Sequence, residues 1–457
     1  MLPDVSSTPT SSAVTQPSTD ADLAGTGAGE AAVGQAAAAG AGQDTADGPG
    51  LRAALTRGLG DPVLRVLMAA TAVSTLGRGV FFTLTVLYFT SIVGLSAAQV
   101  ALILAASSGV GVVTSLLGGH LADRVSARAL CLVLTLTQGA AVVAYTAATT
   151  FAVALTLACL AAGASSAEHS ARSAIIARAF DGGARVGARA VLRTVTNIGI
   201  AVGSALAGAA LVLDTAPAYR VTMALAGATY LFGAFLFRRL PARVDAPRRE
   251  ATAEAAVPAG RSPFRDPRYL LLTALSGLFG MQFALAEVGL PLWVSEHTSA
   301  PTVVVSAALV LNTVIVIAFQ IPLSRGTEDP AYAGRMMVLA GLLMLAACLG
   351  YAASGAVGAV LAVAVVLLAM AAHSFAEVLS SAATWGLSFE LADPARAGAY
   401  QGLFAMGYNV GAMLAPVVVA ATALRHGVPG WAGLGVMFLA VALGVAWIGR
   451  RAARVAR

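Results

Sequence analysis

Two stretches of this chain, Ala129 to Ala167 and Met336 to Ala372, contain no Asp, Glu, Lys or Arg. Each is long enough for most of two helical membrane crossings at about 20 residues apiece. Across the whole chain 58% of residues are hydrophobic and only 11% charged, too few to clothe a water-soluble surface. A closed barrel would also satisfy its backbone in lipid, but it needs alternating polarity in segments of about ten residues, and none is present. The sequence predicts an all-α integral membrane protein.

Counted along the chain, the apolar runs give twelve spans, near 64–90, 97–121, 129–148, 151–178, 190–212, 218–237, 269–294, 302–324, 334–352, 357–388, 398–423 and 430–449. Residues 1–60 precede them as a tail rich in small and polar residues, read as disordered. The tail has no basic segment followed by an apolar one, so the first span is expected to act as its own signal. An arginine-rich, proline-containing loop at 241–265 divides the spans into bundles at 61–240 and 266–450, and 451–457 form a short basic end.

All 28 basic residues are arginine, a bias expected of a GC-rich bacterial genome, and the net charge is +6. The arginines follow topology and form no cluster shaped like a nucleic-acid groove. Arg124, Arg128, Arg178, Arg185, Arg189, Arg325, Arg335 and Arg396 lie in alternate connections, together with the central loop and both ends. The positive-inside rule places those connections and both termini in the cytoplasm of a bacterial cell membrane. Cys131, Cys159 and Cys348 sit in apolar runs without metal or disulfide spacing, so packing is their expected role.

The two halves repeat. Asp61-Pro62 opens span 1 and Asp266-Pro267 opens span 7; the same offset carries Glu168 onto His373 and Arg172 onto Glu377. With a small insertion, Gly187-Ala188 and Asn197-x-Gly199 match Gly398-Ala399 and Asn409-x-Gly411. Parallel repeats with a site between them near mid-membrane are a common transporter plan.

Seven ionisable residues fall inside spans: Arg78, Glu168, His169, Arg172, Glu287, His373 and Glu377. They lie on spans 1, 4, 7 and 10 and, on this reading, in no other span's interior. A charge at membrane depth costs roughly 2.5–3.5 kcal/mol, so such residues face protein or a watery cavity. Four helices lining one path would explain the spacing. Arg78 calls for an acid or an anionic ligand. Glu168 and Arg172, four apart with the acid first, either neutralise each other on one helix face or take part in coupling. Glu287 and Glu377 have no arginine within the spans of their own half, and a buried carboxyl of that kind can carry a proton near neutral pH. Discharge when Arg78 or substrate approaches is the expected coupling step. His373, one turn before Glu377, is either a relay or a satisfied polar residue. Phe82, Gln282, Asn312, Gln401 and Asn409 are candidates to line the cavity, the four amides being equally suited to hydrogen bonds between helices. Trp293 and Trp431 are expected as interface anchors.

The loop after span 2 reads Gly119-His120-Leu121-Ala122-Asp123-Arg124-Val125-Ser126-Ala127-Arg128. In this place it resembles the Gly-x-Leu-Ala-Asp-Arg-x-Gly-Arg-Arg/Lys loop of the major facilitator superfamily (MFS), with Ser126 and Ala127 departing from the pattern. The resemblance covers about residues 60–450 and implies twelve transmembrane helices in two pseudo-symmetric six-helix bundles. It implies a gating latch in which Gly119 allows close approach, Asp123 binds a helix N-terminus, and Arg124 and Arg128 cross the seam between halves. Gly199, Gly203 and Gly208 keep the spacing of the span 5 packing motif of drug/proton antiporters, with Ser204 where that motif has proline.

No phosphate-binding loop is present and the chain has no lysine, so a gradient is the expected energy source. The expected activity is proton-coupled efflux of a drug-like or secondary-metabolite molecule by a monomer in the lipid bilayer, without cofactor or metal. Proton-linked uptake or facilitated diffusion of a nutrient, and a non-transporting receptor on the same fold, are the alternatives. No nucleophile–base pair or metal-ligand spacing suggests an enzyme.

Overall fold

The computed structural model describes residues 59–245 and 260–455. Most of the expected N-terminal tail and most of the central loop lie outside the described residues. Among those described, twelve helices are long and apolar enough to cross a membrane. They are α1 (Pro62–Ile92), α2 (Ala98–Ala122), α3 (Ala127–Ala147), α4 (Phe151–Ala179), α5 (Gly183–Leu213), α6 (Ala216–Arg239), α7 (Pro267–His297), α8 (Val303–Leu323), α9 (Pro330–Ser354), α10 (Ala359–Glu390), α11 (Pro394–Leu424) and α12 (Val428–Arg454).

The repeat reappears in how the helices begin. Asp61 accepts hydrogen bonds from the amides of Val63 and Leu64, and Asp266 from those of Arg268 and Tyr269. Each is followed by a proline that needs no donor partner in the first turn. The helices also pair alike in the two halves. α1 packs on α5 as α7 does on α11, α2 on α4 as α8 on α10, and α3 on α6 as α9 on α12.

Small residues set the closest of these contacts. A Cβ on Gly203 would lie 3.1 Å from the Cα of Gly79, and one on Gly411 would lie 3.2 Å from that of Gly277. Backbone-to-backbone approach of this kind holds helices together where lipid supplies no hydrophobic drive. Gly199 packs on Thr75 of α1, whereas Gly208 meets nothing within 4 Å of a built Cβ. The expected three-glycine packing face of α5 therefore ends at Gly203.

α5 begins at Gly183, seven residues before the expected start, and encloses Arg185, Arg189 and Arg193. Hydropathy alone opened the span too late, because Arg189 is held inside the bundle by His169 and Ser173, while Arg185 at the helix end pairs with the exposed Asp181. Trp293 and Trp431 are also not interface anchors. Both are buried; Trp293 stacks on His297, packs edge-on against Trp431 and donates to Ser354 on α9.

The halves meet along α2 with α11, α4 with α11, and α5 with α8 and α10.

Candidate functional site

Helical spacing gathers the polar side chains of the first half. Thr71, Thr75 and Arg78 recur at intervals of three and four along α1, as do Ser165, Glu168 or His169, and Arg172 along α4, so each set shares one helix face. The two faces meet around a small pocket of ≈ 30 Å³, whose lining includes Arg78, Glu168, His169 and Arg172. Arg78 donates through Nη2 to Ser165 Oγ at 3.2 Å. Arg172 lies 3.5 Å from Glu168 Oε1 through Nε and donates through Nη1 to Thr71 Oγ1 at 3.0 Å. It is thus turned onto α1, and Glu168 Oε1 accepts no hydrogen bond.

His169 Nε2 stands 2.7 Å from Arg189 Nη2. A guanidinium can only donate, so Nε2 is the acceptor and the ring carries its proton on Nδ1. Arg189 also donates to Ser173 Oγ at 2.8 Å, and its guanidinium carbon sits 5.1 Å from the centre of the Trp385 ring.

The small pocket adjoins a cavity of ≈ 400 Å³. Arg78, Gln138, Ser165 and Tyr230 line both spaces. The cavity continues along Phe81 to Phe89 of α1, Ile103 to Gly111 of α2, Val142 and Tyr145 of α3, and Ala158 to Ser166 of α4. Asn409, Ala412 and Met413 of α11 close it from the second half. By their order along the helices, these residues lie in the part of the bundle away from the α2–α3 loop.

At that loop the seam is shut. Asp123 accepts from the amides of Gly398 at 2.8 Å and Ala399 at 2.7 Å, at the start of α11, and from Arg178 at 2.5 Å. An anion there is favoured by the helix dipole. A Cβ on Gly119 would lie 2.7 Å from the Cα of Gly402, so α2 and α11 touch backbone to backbone. Arg128 does not cross the seam. It pairs with Asp245 at 3.1 Å and donates to the Leu240 carbonyl, while Arg124 is exposed. Ser126 explains its own departure from the loop pattern: it caps α3 through the Ala129 amide and donates to Asp245.

Deeper in the seam, Arg193 of α5 pairs with Glu377 of α10 and donates to Ser381 Oγ at 2.9 Å. Its guanidinium carbon lies 5.7 Å from the Phe283 ring centre and 5.2 Å from that of Trp385. Asn312 of α8 donates to the other carboxylate oxygen of Glu377 at 2.9 Å and to Ser374 at 3.1 Å. The expectation that no span besides 1, 4, 7 and 10 holds an interior charge is therefore corrected. Glu377 has a basic partner, supplied by the opposite half. The spacing of Arg185, Arg189 and Arg193, four apart on one helical face, was the available signal.

The seven ionisable candidates do not line a single path. Arg78, Glu168, His169 and Arg172 gather in the first half. Glu287 is exposed on a π-helical turn, 285–289, without a hydrogen bond or ion pair to another described residue. His373 turns to α9, where Nδ1 stands 3.2 Å from Tyr351 Oη, and it has no hydrogen bond to Glu377. Among the cavity candidates, Phe82 (71% exposed) and Asn409 line the cavity, and Asn409 Nδ2 donates to the Gly111 carbonyl across the seam. Gln282 and Gln401 are buried between helices instead, donating to Ser380 and to the Ser388 carbonyl.

Similarity to known proteins agrees with this architecture. The human organic anion transporter MFSD10 (TETRAN) is 17% identical, with a TM-score of 0.63 over 84% of this chain and 99% of that one. A bacterial homologue of the iron transporter ferroportin, in an outward-facing state, is 12% identical with a TM-score of 0.68 over 86% and 99%. The proton:xylose symporter XylE bound to 6-bromo-6-deoxy-D-glucose is 12% identical with a TM-score of 0.64 over 84% and 94%. At these identities the likeness shows the fold alone. No curated protein sequence matches the chain. The Major Facilitator Superfamily matches over residues 67–416, and with twelve spans in two repeated halves the chain belongs to that family of membrane transporters.

Proposed function

We propose that the chain is a secondary active transporter that exports a drug-like or metabolite-like small molecule in exchange for protons, by alternating access. The observation that carries the reading is the Arg193–Glu377 pair, because it joins the two halves through a group that can take up a proton. Both termini face the cytoplasm of a cell membrane on this reading, since the arginine-rich connections lie on that side. The seam closed by Asp123 is then cytoplasmic, and the ≈ 400 Å³ cavity opens toward the outside.

A proton arriving from the cavity side neutralises Glu377 and removes the attraction that holds Arg193. Asn312 then donates to a neutral acid instead of a carboxylate, a bond roughly half as strong as a charge-assisted one. The seam opens at the cytoplasmic end, the proton leaves there, and substrate enters from the same side. Re-formation of the pair closes the seam behind the substrate.

The test is export of fluorescent lipophilic dyes from energised cells lacking their own pumps. Export that collapses with a protonophore and with Glu377→Gln supports the reading. Export by wild type that neither treatment touches contradicts it.

A further inference from the structure

The geometry points to an organic anion as the transported molecule: a carboxylate or similar single negative head on an apolar, aromatic-sized body. This inference rests on the transporter reading and names the substrate class of the same cavity.

The charge arrangement carries it. Among the described residues, Arg78 is the one charged residue lining the larger cavity, and its single hydrogen-bond partner is the neutral Ser165. In the adjoining small pocket the one carboxylate, Glu168, is already matched by Arg172 on its own helix. Arg189 adds a third guanidinium behind His169, held by a hydroxyl, an imidazole and an indole face rather than by an acid. Arg193 set aside, these first-half helices hold three guanidinium groups here, Arg78, Arg172 and Arg189, against the one carboxylate of Glu168. A guanidinium that lines a cavity at that depth with no acid beside it favours an anionic ligand over a cationic one. Arg193, the fourth, is occupied by Glu377 and takes no part.

The shapes of the two spaces match a head and a body. The small pocket has room for about one water-sized group, and Arg78 with Gln138 and Ser165 stands where it meets the cavity. A carboxylate placed at that junction can accept from the Arg78 guanidinium, a planar fork suited to two parallel hydrogen bonds, and from the Ser165 hydroxyl. The body then lies along Phe81, Phe89, Val142, Tyr145 and Met413, in a cavity within the size range of drug-sized sites. A cationic amine of the same shape would put its charge against Arg78.

Purified full-length protein in detergent is titrated calorimetrically with three probes that share one body: 4-biphenylcarboxylate, 4-biphenylcarboxamide and 4-phenylbenzylammonium. The carboxylate is expected to bind at least about tenfold more tightly than the amide, and the ammonium not to bind. Arg78→Gln is expected to erase the preference, and Arg78→Lys to keep part of it. The comparison of probes on wild type needs no variant, so it stands even where Arg78→Gln fails to fold. Equal affinity for the three, preference for the ammonium, or no binding of the carboxylate by folded wild type overturns the inference. Binding is read at equilibrium without a gradient. Selective carboxylate binding without proton-driven export sinks the coupling reading alone, and proton-driven export without anion selectivity sinks this one.

Discussion

Arg193 of α5 and Glu377 of α10 form an ion pair between the two six-helix halves, with the Phe283 and Trp385 rings beside the guanidinium. Only 8% of the Glu377 side chain and 16% of the Arg193 side chain are exposed, so bulk water screens the pair little. Removing one partner from a buried pair costs about 3–5 kcal/mol, chiefly because the other charge is left stranded. Arg193→Gln is accordingly expected to weaken the seam-closed arrangement strongly, whereas the exchange Arg193→Glu with Glu377→Arg restores much of it. Export rates of the single and double variants, read as a double-mutant cycle, check the coupling. Additive losses in the double variant would contradict a direct pair.

Asp123 is expected to be the least replaceable residue of the α2–α3 loop. It accepts from two α11 amides and from Arg178, and hydrogen bonds to a charged group are worth roughly 1.5–3 kcal/mol. Asp123→Asn keeps the size but loses the charge and half of the acceptor capacity, so transport falls about tenfold or more at normal expression. Arg124→Gln, at an exposed position, leaves transport within about twofold. Uptake or efflux rates normalised to protein in the membrane distinguish the two.

The glycines of α5 give a contrast of packing. Gly203→Leu drives a side chain into the α1 backbone and is expected to lower thermal stability by well over the ~1–3 kcal/mol of ordinary overpacking. Gly208→Leu meets open space and changes stability by no more than about 0.5 kcal/mol beyond the helix-propensity gain over glycine. Melting temperatures in detergent report both.

His169 provides a pH-dependent contact. Its Nε2 accepts from Arg189 only while the ring is neutral; a protonated ring has two donors and no acceptor. The contact is therefore present at neutral pH and is lost as acid protonates the ring. Substitution by Leu leaves the Arg189 guanidinium without this acceptor at every pH and destabilises by roughly 1.5–3 kcal/mol. Melting temperature against pH, compared between wild type and His169→Leu, is expected to converge at low pH.

Much of the fold was legible in the sequence because hydropathy counts spans and the Asp-Pro openings of α1 and α7 mark the repeat. The roles of the loop residues Gly119 and Asp123 were legible through the family resemblance of their short motif, and both make the implied contacts with α11. Arg128 was misplaced because sequence shows that an arginine needs a partner but not which one, and Asp245 lies over a hundred residues away. Arg189 escaped because it was assigned to a connection, and Arg193, inside the expected fifth span, was passed over; within α5 the first is held by the neutral groups of His169 and Ser173 and the second by the Glu377 carboxylate. For Gln282 and Gln401 the sequence left cavity lining and interhelical bonding equally open, because a polar side chain within a span is satisfied as well by a neighbouring helix, which is where both are found.

The central claim is that a proton on Glu377 unlocks the seam. Spin labels at Arg124→Cys and Ala395→Cys, on either side of the α2–α11 contact and with the native cysteines replaced, report the opening as a distance. The account predicts that acidification lengthens this distance in the parent protein, and that Glu377→Gln holds it long at every pH. A distance that stays short in Glu377→Gln would contradict the account.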